Sequence, residues 1–308
     1  MEPSRLPQPE IDPIVHRSTR PGSSSRAQAA AVGSGVTIGP YRIIEWIGRG
    51  GEGDVFRVVH TKVDRAYALK VLRADAYASD PDAAGRFRNE ARAAARIDHP
   101  NIVEVFDFGY LADGRPYLVM ELVRGGSLAS LLGDGPLEPD LAMDMVGQLA
   151  SALAAAHEVG VIHSDVSPTN VLVDGGLAKL ADFGLAQLRD DQSRPVPTEP
   201  PGYVLGTPSY IAPELIRGHP ADERSDQYAL GAVLFELLTG HPPFRASTIH
   251  GVCRKHLLAP VPALDAPLPL PAGLRRLVTR CLDKRPGHRF PSMRALGSAL
   301  ALAAGRQA

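Results

Sequence analysis

The chain has 308 residues, a formal net charge of −1 at pH 7 and two cysteines, Cys253 and Cys281. Its balanced charge gives no electrostatic reason to expect a nucleic-acid or membrane partner. Two cysteines are too few for a disulfide framework and are not spaced as a zinc site, so the sequence predicts a reducing, cytoplasmic compartment. Its apolar stretches are interrupted by polar residues or are shorter than the roughly 18 residues of a membrane span, so none is predicted.

Residues 1–38 differ in composition from the rest of the chain. The segment MEPSRLPQPEIDPIVHRSTRPGSSSRAQ is rich in Pro, Ser and Arg and offers few apolar side chains for a core. We therefore predict a disordered tail, for which a flexible leader without a binding role is a sufficient explanation. Order is expected to begin near Tyr41, within a folded domain over residues 39–305.

The first part of this domain has the character of a β-sheet. Strand-like residues lie on both sides of a glycine cluster in YRIIEWIGRGGEGDVFRVVH, and RAYALKVLR continues as another strand. AAGRFRNEARAAARI follows helical spacing at Phe87, Ala91, Ala94 and Ile97. NIVEVFDFGY and RPYLVMELV are two further strands separated by ADG, which indicates a hairpin. These elements predict a small β-rich lobe with one helix over about residues 39–123.

The second part, over about residues 124–305, is predicted to be mainly helical. One long helix, in DLAMDMVGQLASALAAAHEVG, places Leu141, Met145, Leu149 and Leu153 on one face. Others are predicted in SDQYALGAVLFELLTG, AGLRRLVTRCL and SMRALGSALALAA, the first ending at Gly240. The proline-rich stretches RPVPTEPPGY and LLAPVPALDAPLPLPAG are predicted to be surface loops. The fold class is therefore α+β, with two lobes of different composition.

A glycine loop lies between the first two long strands. Gly48, Gly50 and Gly53 form G-x-G-x-x-G, with Val55 two residues further on. Backbone without side chains can approach phosphate oxygens closely and offer its N–H groups to them. Dinucleotide-binding folds share this motif but place a helix directly after the glycines. Because DVFRVV is strand-like, the sequence favours a glycine hairpin that covers a nucleotide.

Further motifs follow this loop in a fixed order. They are YALK with Lys70, a helical Glu90, HSDVSPTN with His163, Asp165 and Asn170, DFG with Asp182, GTPSYIAPE with Glu214, then Asp226 and Arg289. Over residues 41–303 the ordered set resembles the eukaryotic-type protein kinase family, in its bacterial Ser/Thr branch. The resemblance implies the bilobal kinase fold and an ion pair between Glu214 and Arg289. It also implies transfer of the γ-phosphate of ATP to protein Ser or Thr hydroxyls, including those of the chain itself.

The resemblance also implies a role for each polar residue of these motifs. Lys70 would neutralise the α- and β-phosphates, and Glu90 would hold Lys70 in place. Asn170 and Asp182 would supply oxygen ligands to Mg²⁺. Asp165 would accept or orient the proton of the attacking hydroxyl. All of these residues are present, which favours a working enzyme.

An adenine pocket is implied in the same way. Met120 would occupy the gatekeeper position, and the backbone groups of Glu121 and Val123 would meet the edge of the adenine. The apolar residues expected around the ring are Ile47, Val55 and Ala68 from the small lobe and Leu172 from the large lobe. These side chains would belong to the core until a ligand enters.

Ser164 replaces a cation that the family usually carries in the catalytic loop. It stands at the arginine of His-Arg-Asp, which often clamps a phosphorylated activation-loop residue. Activity is therefore predicted not to depend on such a clamp. Ser193 and Thr198 are the candidate phosphosites in that loop.

Ser167 replaces the lysine that lies near the γ-phosphate in Ser/Thr kinases, and Thr169 stands where tyrosine kinases carry an arginine. Losing one charge-assisted hydrogen bond costs about 1.5–3 kcal/mol, or about a ten- to hundredfold loss of rate. Thr207 resembles the threonine that bridges the catalytic aspartate and this lysine. That bridge is therefore expected to be weaker or to be carried by water.

Other functions remain open at this stage. A nucleotide-binding pseudokinase that acts as a scaffold or allosteric partner would explain Ser164 and Ser167. A small-molecule kinase is disfavoured, as is tyrosine specificity, because GTPSYIAPE resembles the segment that docks a Ser/Thr protein substrate. Beyond ATP and such substrates, an upstream sensor or adaptor protein is the expected partner.

Overall fold

The computed structural model describes residues 34–51, 53–188 and 206–305. Three sequence predictions lie outside these ranges: residues 1–33 of the predicted tail, the candidate phosphosites Ser193 and Thr198, and the proline-rich stretch at 194–203.

An antiparallel sheet with the strand order β1-β2-β3-β4-β6-β5 forms the N-terminal lobe. Its strands are β1 (Thr37–Ile38), β2 (Tyr41–Arg49), β3 (Gly53–His60), β4 (Ala66–Leu72), β5 (Val105–Tyr110) and β6 (Pro116–Met120). Because β-branched and aromatic side chains alternate along β2 and β3, one face of the sheet is apolar. Ile43, Phe56, Val58, Leu69 and Val119 are buried there. The predicted β-rich lobe is confirmed.

The predicted start of order near Tyr41 is too late. Strand β1 lies within the predicted tail and pairs with β2, joining Thr37 to Arg42 and Ile38 to Tyr41. The chain reverses between these strands through Gly39, whose φ of 53° is the left-handed conformation that glycine adopts without a steric cost. A two-residue strand is too short to show alternation, so no pattern in the sequence predicts it.

Helices α1 (Ala74–Ser79) and α2 (Ala83–Ala94) connect β4 to β5. Helix α2 buries Phe87, Glu90 and Ala91 on one face, as helical spacing predicts. The predicted helix extended to Ile97, but α2 ends at Ala94, and Ile97 is buried in the following turn. Ile97 fitted the apolar spacing of the helix because it is buried, although it lies outside the helix.

The C-terminal lobe is mainly helical, as predicted. Its helices are α3 (Leu128–Leu132), α4 (Pro139–Glu158), α5 (Pro213–Ile216), α6 (Glu223–Thr239), α7 (Ile249–Leu258), α8 (Leu274–Cys281) and α9 (Met293–Ala303). Short strands lie beside them: β7 (Gly126–Ser127), β8 (Val161–Ile162), β9 (Val171–Asp174), β10 (Leu177–Leu180) and β11 (Gln187–Leu188). The sequence did not predict these strands, since elements this short carry little periodicity. Helix α7 was not predicted either.

Helices α4 and α6 pack against each other at the centre of this lobe. Met145, Leu149 and Leu153 of α4 are buried as predicted, whereas Leu141 in its first turn is 39% exposed. Asp222 and Ser225 form a capping box at the start of α6, and Gly240, with φ 79°, ends it as predicted. No helix in the described part of the chain has the length and apolar character needed to cross a bilayer.

Candidate active site

Strand register brings several predicted nucleotide-binding residues to one face of the N-terminal sheet. Gly48 pairs with Val55, Val55 with Lys70, and Ala68 with Met120. Directly paired residues share a face, and Ala68 and Lys70 are two residues apart on β4. The five residues therefore line the same side of the sheet, although they come from four strands.

Lys70 is the centre of a buried ionic cluster. Its Nζ donates to both carboxylate oxygens of Glu90, at 2.8 and 2.9 Å, and to Oδ1 of Asp182 at 3.2 Å. Lys70 and Glu90 are only 5% and 4% exposed. Burial lowers the pKa of Lys70, but Glu90 and then Asp182 outweigh that effect, so the net pKa lies above its usual range. The ammonium group is therefore held charged, with its position fixed by two carboxylates.

Asp182 reaches this cluster through an uncommon backbone conformation, with φ 63°. Burial raises the pKa of its carboxyl group, but the charge and the hydrogen bond of Lys70 together have the larger, opposite effect. The net pKa of Asp182 therefore lies below its usual range. The amide of Gly184 also donates to Oδ1, at 3.3 Å. The next residue, Phe183, is buried with its ring centroid 4.7 Å from that of His163. Asp182 is thus an ionised group turned towards Lys70.

Asp165 is held by hydrogen bonds to both of its carboxylate oxygens. The Thr207 amide donates to Oδ1 at 2.9 Å, and Nδ2 of Asn170 donates to Oδ2 at 3.0 Å and to the Asp165 carbonyl at 2.9 Å. Gly206, with φ 97°, allows the close approach, because a Cβ there would lie 3.2 Å from Oδ1. The catalytic-loop carboxylate is therefore oriented before any substrate arrives.

Asp226 holds the backbone of the HSDVSPTN loop through hydrogen bonds. Its carboxylate accepts from the amides of His163 at 3.0 Å and Ser164 at 2.9 Å, and lies 2.8 Å from Nε2 of His157. Ser164 has φ 69°, a left-handed conformation that costs free energy in a non-glycine residue. The buried carboxylate offsets that cost by accepting two consecutive backbone N–H groups at this turn.

The two serines at the expected cation positions differ in environment. Ser167 is fully enclosed, with its Oγ 2.9 Å from Oγ1 of Thr169. Ser164 Oγ is buried and has no hydrogen-bond partner among the described residues. The bridge from Thr207 to Asp165 was expected to be weaker or to be carried by water, but the contact is direct. Thr207 contacts Asp165 through its backbone amide, a bond that does not depend on the missing lysine.

The residues predicted for the adenine pocket lie around the junction of the lobes. Ala68 is buried, the other apolar members except Ile47 are half-buried, and Ile47 is 44% exposed. The Glu121 amide donates to the Glu104 carbonyl at 2.9 Å, and its carboxylate pairs with Lys179 at 2.8 Å. These two contacts fix the segment that follows β6.

The residues present fit a nucleoside triphosphate and a hard divalent cation. A Cβ on Gly50 would lie 3.8 Å from Cε of Lys70 and 4.0 Å from Oδ2 of Asp182, so only glycine leaves the space above this ion pair open. The Asp182 carboxylate and the amide oxygen of Asn170 are ligands of the kind that Mg²⁺ prefers. Asn170 directs its amide hydrogens to Asp165, so its amide oxygen remains an acceptor.

The predicted pair of Glu214 and Arg289 is confirmed as a buried, bidentate ion pair. Nη1 and Nη2 of Arg289 donate to the two carboxylate oxygens at 2.6 and 2.8 Å. Arg289 also donates to the carbonyls of Arg224 at 2.7 Å and Asp283 at 3.0 Å. The end of the GTPSYIAPE segment is therefore tied to the body of the C-terminal lobe.

Comparisons with known proteins agree with this architecture. The family model described as "Protein kinase domain" matches residues 41–300. The serine/threonine-protein kinase pkn3 of Myxococcus xanthus is 38% identical over 269 residues, which cover 84% of this chain and 49% of the relative. PknA of Mycobacterium tuberculosis is 41% identical over 281 residues, which cover 89% of this chain and 64% of the relative. The chain thus spans between about two-fifths and two-thirds of the length of the curated relatives it matches.

Solved structures show the same likeness. The kinase domain of M. tuberculosis PknI is 34% identical, with a TM-score of 0.69, over 89% of this chain and 99% of that one. The bilobal α+β fold is therefore that of a kinase domain. The family model matches residues 41–300, and the fold brings the motif residues of that family together. The chain therefore belongs to the protein kinase family.

Proposed function

We propose that this chain transfers the γ-phosphate of ATP to Ser or Thr hydroxyls of proteins, with Mg²⁺ as the metal. The observation that carries the proposal is the contact of Lys70 with both Glu90 and Asp182, in a chain whose catalytic loop also orients Asp165. A kinase needs these charges assembled, since phosphoryl transfer depends mainly on positioning and charge neutralisation. Relatives that carry the name serine/threonine-protein kinase support the choice of acceptor.

Each residue of the cluster has a task in this proposal. ATP supplies the transferred phosphoryl group, and Mg²⁺ neutralises charge on its phosphates when bound. Lys70 binds the α- and β-phosphates, while Asn170 and Asp182 hold the metal. The glycine loop covers the phosphates with backbone N–H groups, and the pocket from Ile47 to Leu172 encloses the adenine.

Asp165 acts on the acceptor in this proposal. Its carboxylate orients the attacking hydroxyl and takes up the proton as the bond to phosphorus forms. The contacts from Thr207 and Asn170 hold the carboxylate in one rotamer, which lowers the entropy cost of reaching the reactive geometry. The docking segment, residues 206–214, would position the acceptor, because its Thr207 touches Asp165 directly.

The proposal can be tested with purified protein, Mg²⁺ and γ-labelled ATP. Mass spectrometry should locate phosphate on Ser or Thr residues of the chain or of casein. Asp182→Asn should abolish this label, because an amide is a weaker ligand for Mg²⁺ than a carboxylate. No label from the parent chain under these conditions would contradict the proposal.

A pseudokinase remains the second candidate, because Ser164 and Ser167 remove two cations from the catalytic loop. Such a protein would bind ATP without transferring phosphate. Fluorescent ATP displacement, measured on the same samples, separates the two: ATP binding with no transfer favours the pseudokinase.

Restoring the missing cation should raise turnover. Ser167→Lys is expected to increase kcat about tenfold, because a lysine there adds a charge-assisted hydrogen bond to the γ-phosphate. The KM for ATP should change little, since Lys70 and the adenine pocket are untouched. Ser167→Met is the matched control, with a chain of similar length and no charge. Equal effects of the two substitutions would show that packing around the enclosed Ser167, and not charge, limits turnover.

We further propose a cytoplasmic location and an upstream sensor or adaptor protein as a partner. The use of ATP and the two buried, free cysteines are the features that support the first. The second follows from the proposed activity, since a kinase of a signalling system needs an input.

A further inference from the structure

His256 of helix α7 is a fully buried histidine outside the cluster described above. Its Nδ1 lies 2.8 Å from the hydroxyl of Tyr228 on α6. Its ring packs between Tyr228 and Phe244, with centroids 5.6 and 4.9 Å away. The hydroxyl and the two rings fix the orientation of the imidazole.

The surroundings of Tyr228 determine which ring nitrogen of His256 carries the hydrogen. Lys284 Nζ lies 3.4 Å from the Tyr228 oxygen, and an ammonium group can only donate. The tyrosine oxygen accepts from Lys284, and we assign its own hydrogen to Nδ1 of His256. Burial, followed by the charge of Lys284, lowers the pKa of His256 to about 3, so the imidazole is neutral. Nδ1 is then the acceptor and Nε2 carries the hydrogen.

This Nε2–H is a buried donor without a hydrogen-bond partner in the described part of the chain. Helix α7 packs against the turn at Pro208–Tyr210 of the docking segment. The Ser209 backbone in that turn acts on the imidazole as a hydrogen-bond acceptor and favours its protonated form, which identifies the carbonyl group, although the contact is longer than a normal hydrogen bond. Since Tyr228 occupies Nδ1, the Ser209 carbonyl is the acceptor available to Nε2–H.

The turn already has two other anchors. Thr207 donates its amide to Asp165, and Tyr210 donates its hydroxyl to the Glu236 carboxylate on α6. Ser209 lies between these two anchors in the same turn. A third anchor at Ser209 would fix the whole turn.

We propose that His256 is a positioning residue for substrate docking, and that its Nε2–H holds the docking segment through the Ser209 carbonyl. This role rests on the proposed kinase function. The residue does not touch the reacting atoms and acts through residues 206–210. It is expected to affect the KM for a protein substrate, with little effect on kcat or on the KM for ATP.

Two substitutions separate this role from a purely structural one. The amide nitrogen of Gln reaches the position of Nε2, whereas that of Asn reaches only the position of Nδ1. His256→Gln should keep the KM for casein close to that of the parent chain. His256→Asn should raise it about five- to tenfold, as expected for one lost hydrogen bond. The reverse order would show that only the bond to Tyr228 matters and would overturn the proposal, as would equal KM values for both variants.

Hydrogen exchange of residues 206–210 provides a readout that needs no phosphate transfer. The amide of Tyr210, which donates to the Thr207 carbonyl at 3.0 Å, should exchange faster in His256→Asn than in His256→Gln. Equal exchange in both variants would contradict the positioning role. If the parent chain failed to phosphorylate casein, the kinase function would be contradicted, and the exchange data alone would decide whether His256 holds the turn.

Discussion

Replacing Asp165 with Asn is expected to lower the rate of phosphate transfer by about 10²- to 10⁴-fold. The amide has nearly the shape of the carboxylate but cannot take up the proton of the attacking hydroxyl. It also turns one donor towards Thr207 or Asn170, both of which donate to the native carboxylate. Steady-state kinetics with casein measures the effect on kcat, and fluorescent ATP displacement should show unchanged nucleotide affinity.

Asp174→Asn is the matched control for this experiment. Asp174 ends strand β9 and is exposed, so the same chemical change there should leave kcat unaltered. A kcat for Asp165→Asn within about twofold of the parent value would mean that proton uptake by this group contributes little to the barrier. That result would contradict the proposed role of Asp165.

The largest effect on stability is expected at the ion pair of Glu214 and Arg289. Arg289→Met should lower the free energy of unfolding by about 3–5 kcal/mol, because it leaves a buried carboxylate without its partner. The arginine also binds two backbone carbonyls, and its guanidinium lies 4.8 Å from the ring centroid of Tyr228. Urea denaturation monitored by circular dichroism measures the change.

An exposed ion pair in the same lobe provides the comparison. Arg294 pairs with Glu158, and both side chains are more than half exposed. Arg294→Met should therefore cost no more than about 1 kcal/mol. Adding Glu214→Leu to Arg289→Met should recover part of the loss, since the unpaired buried charge is removed. Equal destabilisation by the two arginine substitutions would show that burial of the Glu214 pair adds nothing to stability.

The sequence was sufficient for the fold class and for the members of the ionic cluster. Strand alternation and helical spacing predicted the two lobes, because burial of one face imposes a period on the residues. The motif order predicted the pair of Lys70 and Glu90, whereas the contact of Lys70 with Asp182, 112 residues away, was found only in the structure. The pairing of Glu214 with Arg289 was predicted in the same way. Long-range contacts of this kind were accessible because each partner lies in a motif of a known family.

Elements without a repeat were not accessible. Strand β1 has two residues and so has no recognisable period. Helix α7 was missed although its buried residues Val252, Cys253 and His256 follow helical spacing. The end of α2 was placed three residues too late, because Ile97 is buried in a turn. Helix and turn residues can both face the core, so an apolar side chain alone does not define a helix end.

Only the tertiary structure decided how the catalytic loop is held without its usual cations. Thr207 reaches Asp165 through its backbone amide, and Ser167 is enclosed against Thr169. Backbone groups are the same in every residue, so no side-chain pattern encodes which amide meets which carboxylate. The environment of the His256 imidazole is of the same kind, since it depends on the packing of α7 against the turn at Ser209. The residue types thus determined which chemical groups are present, and the packing of the chain determined which atoms of those groups contact one another.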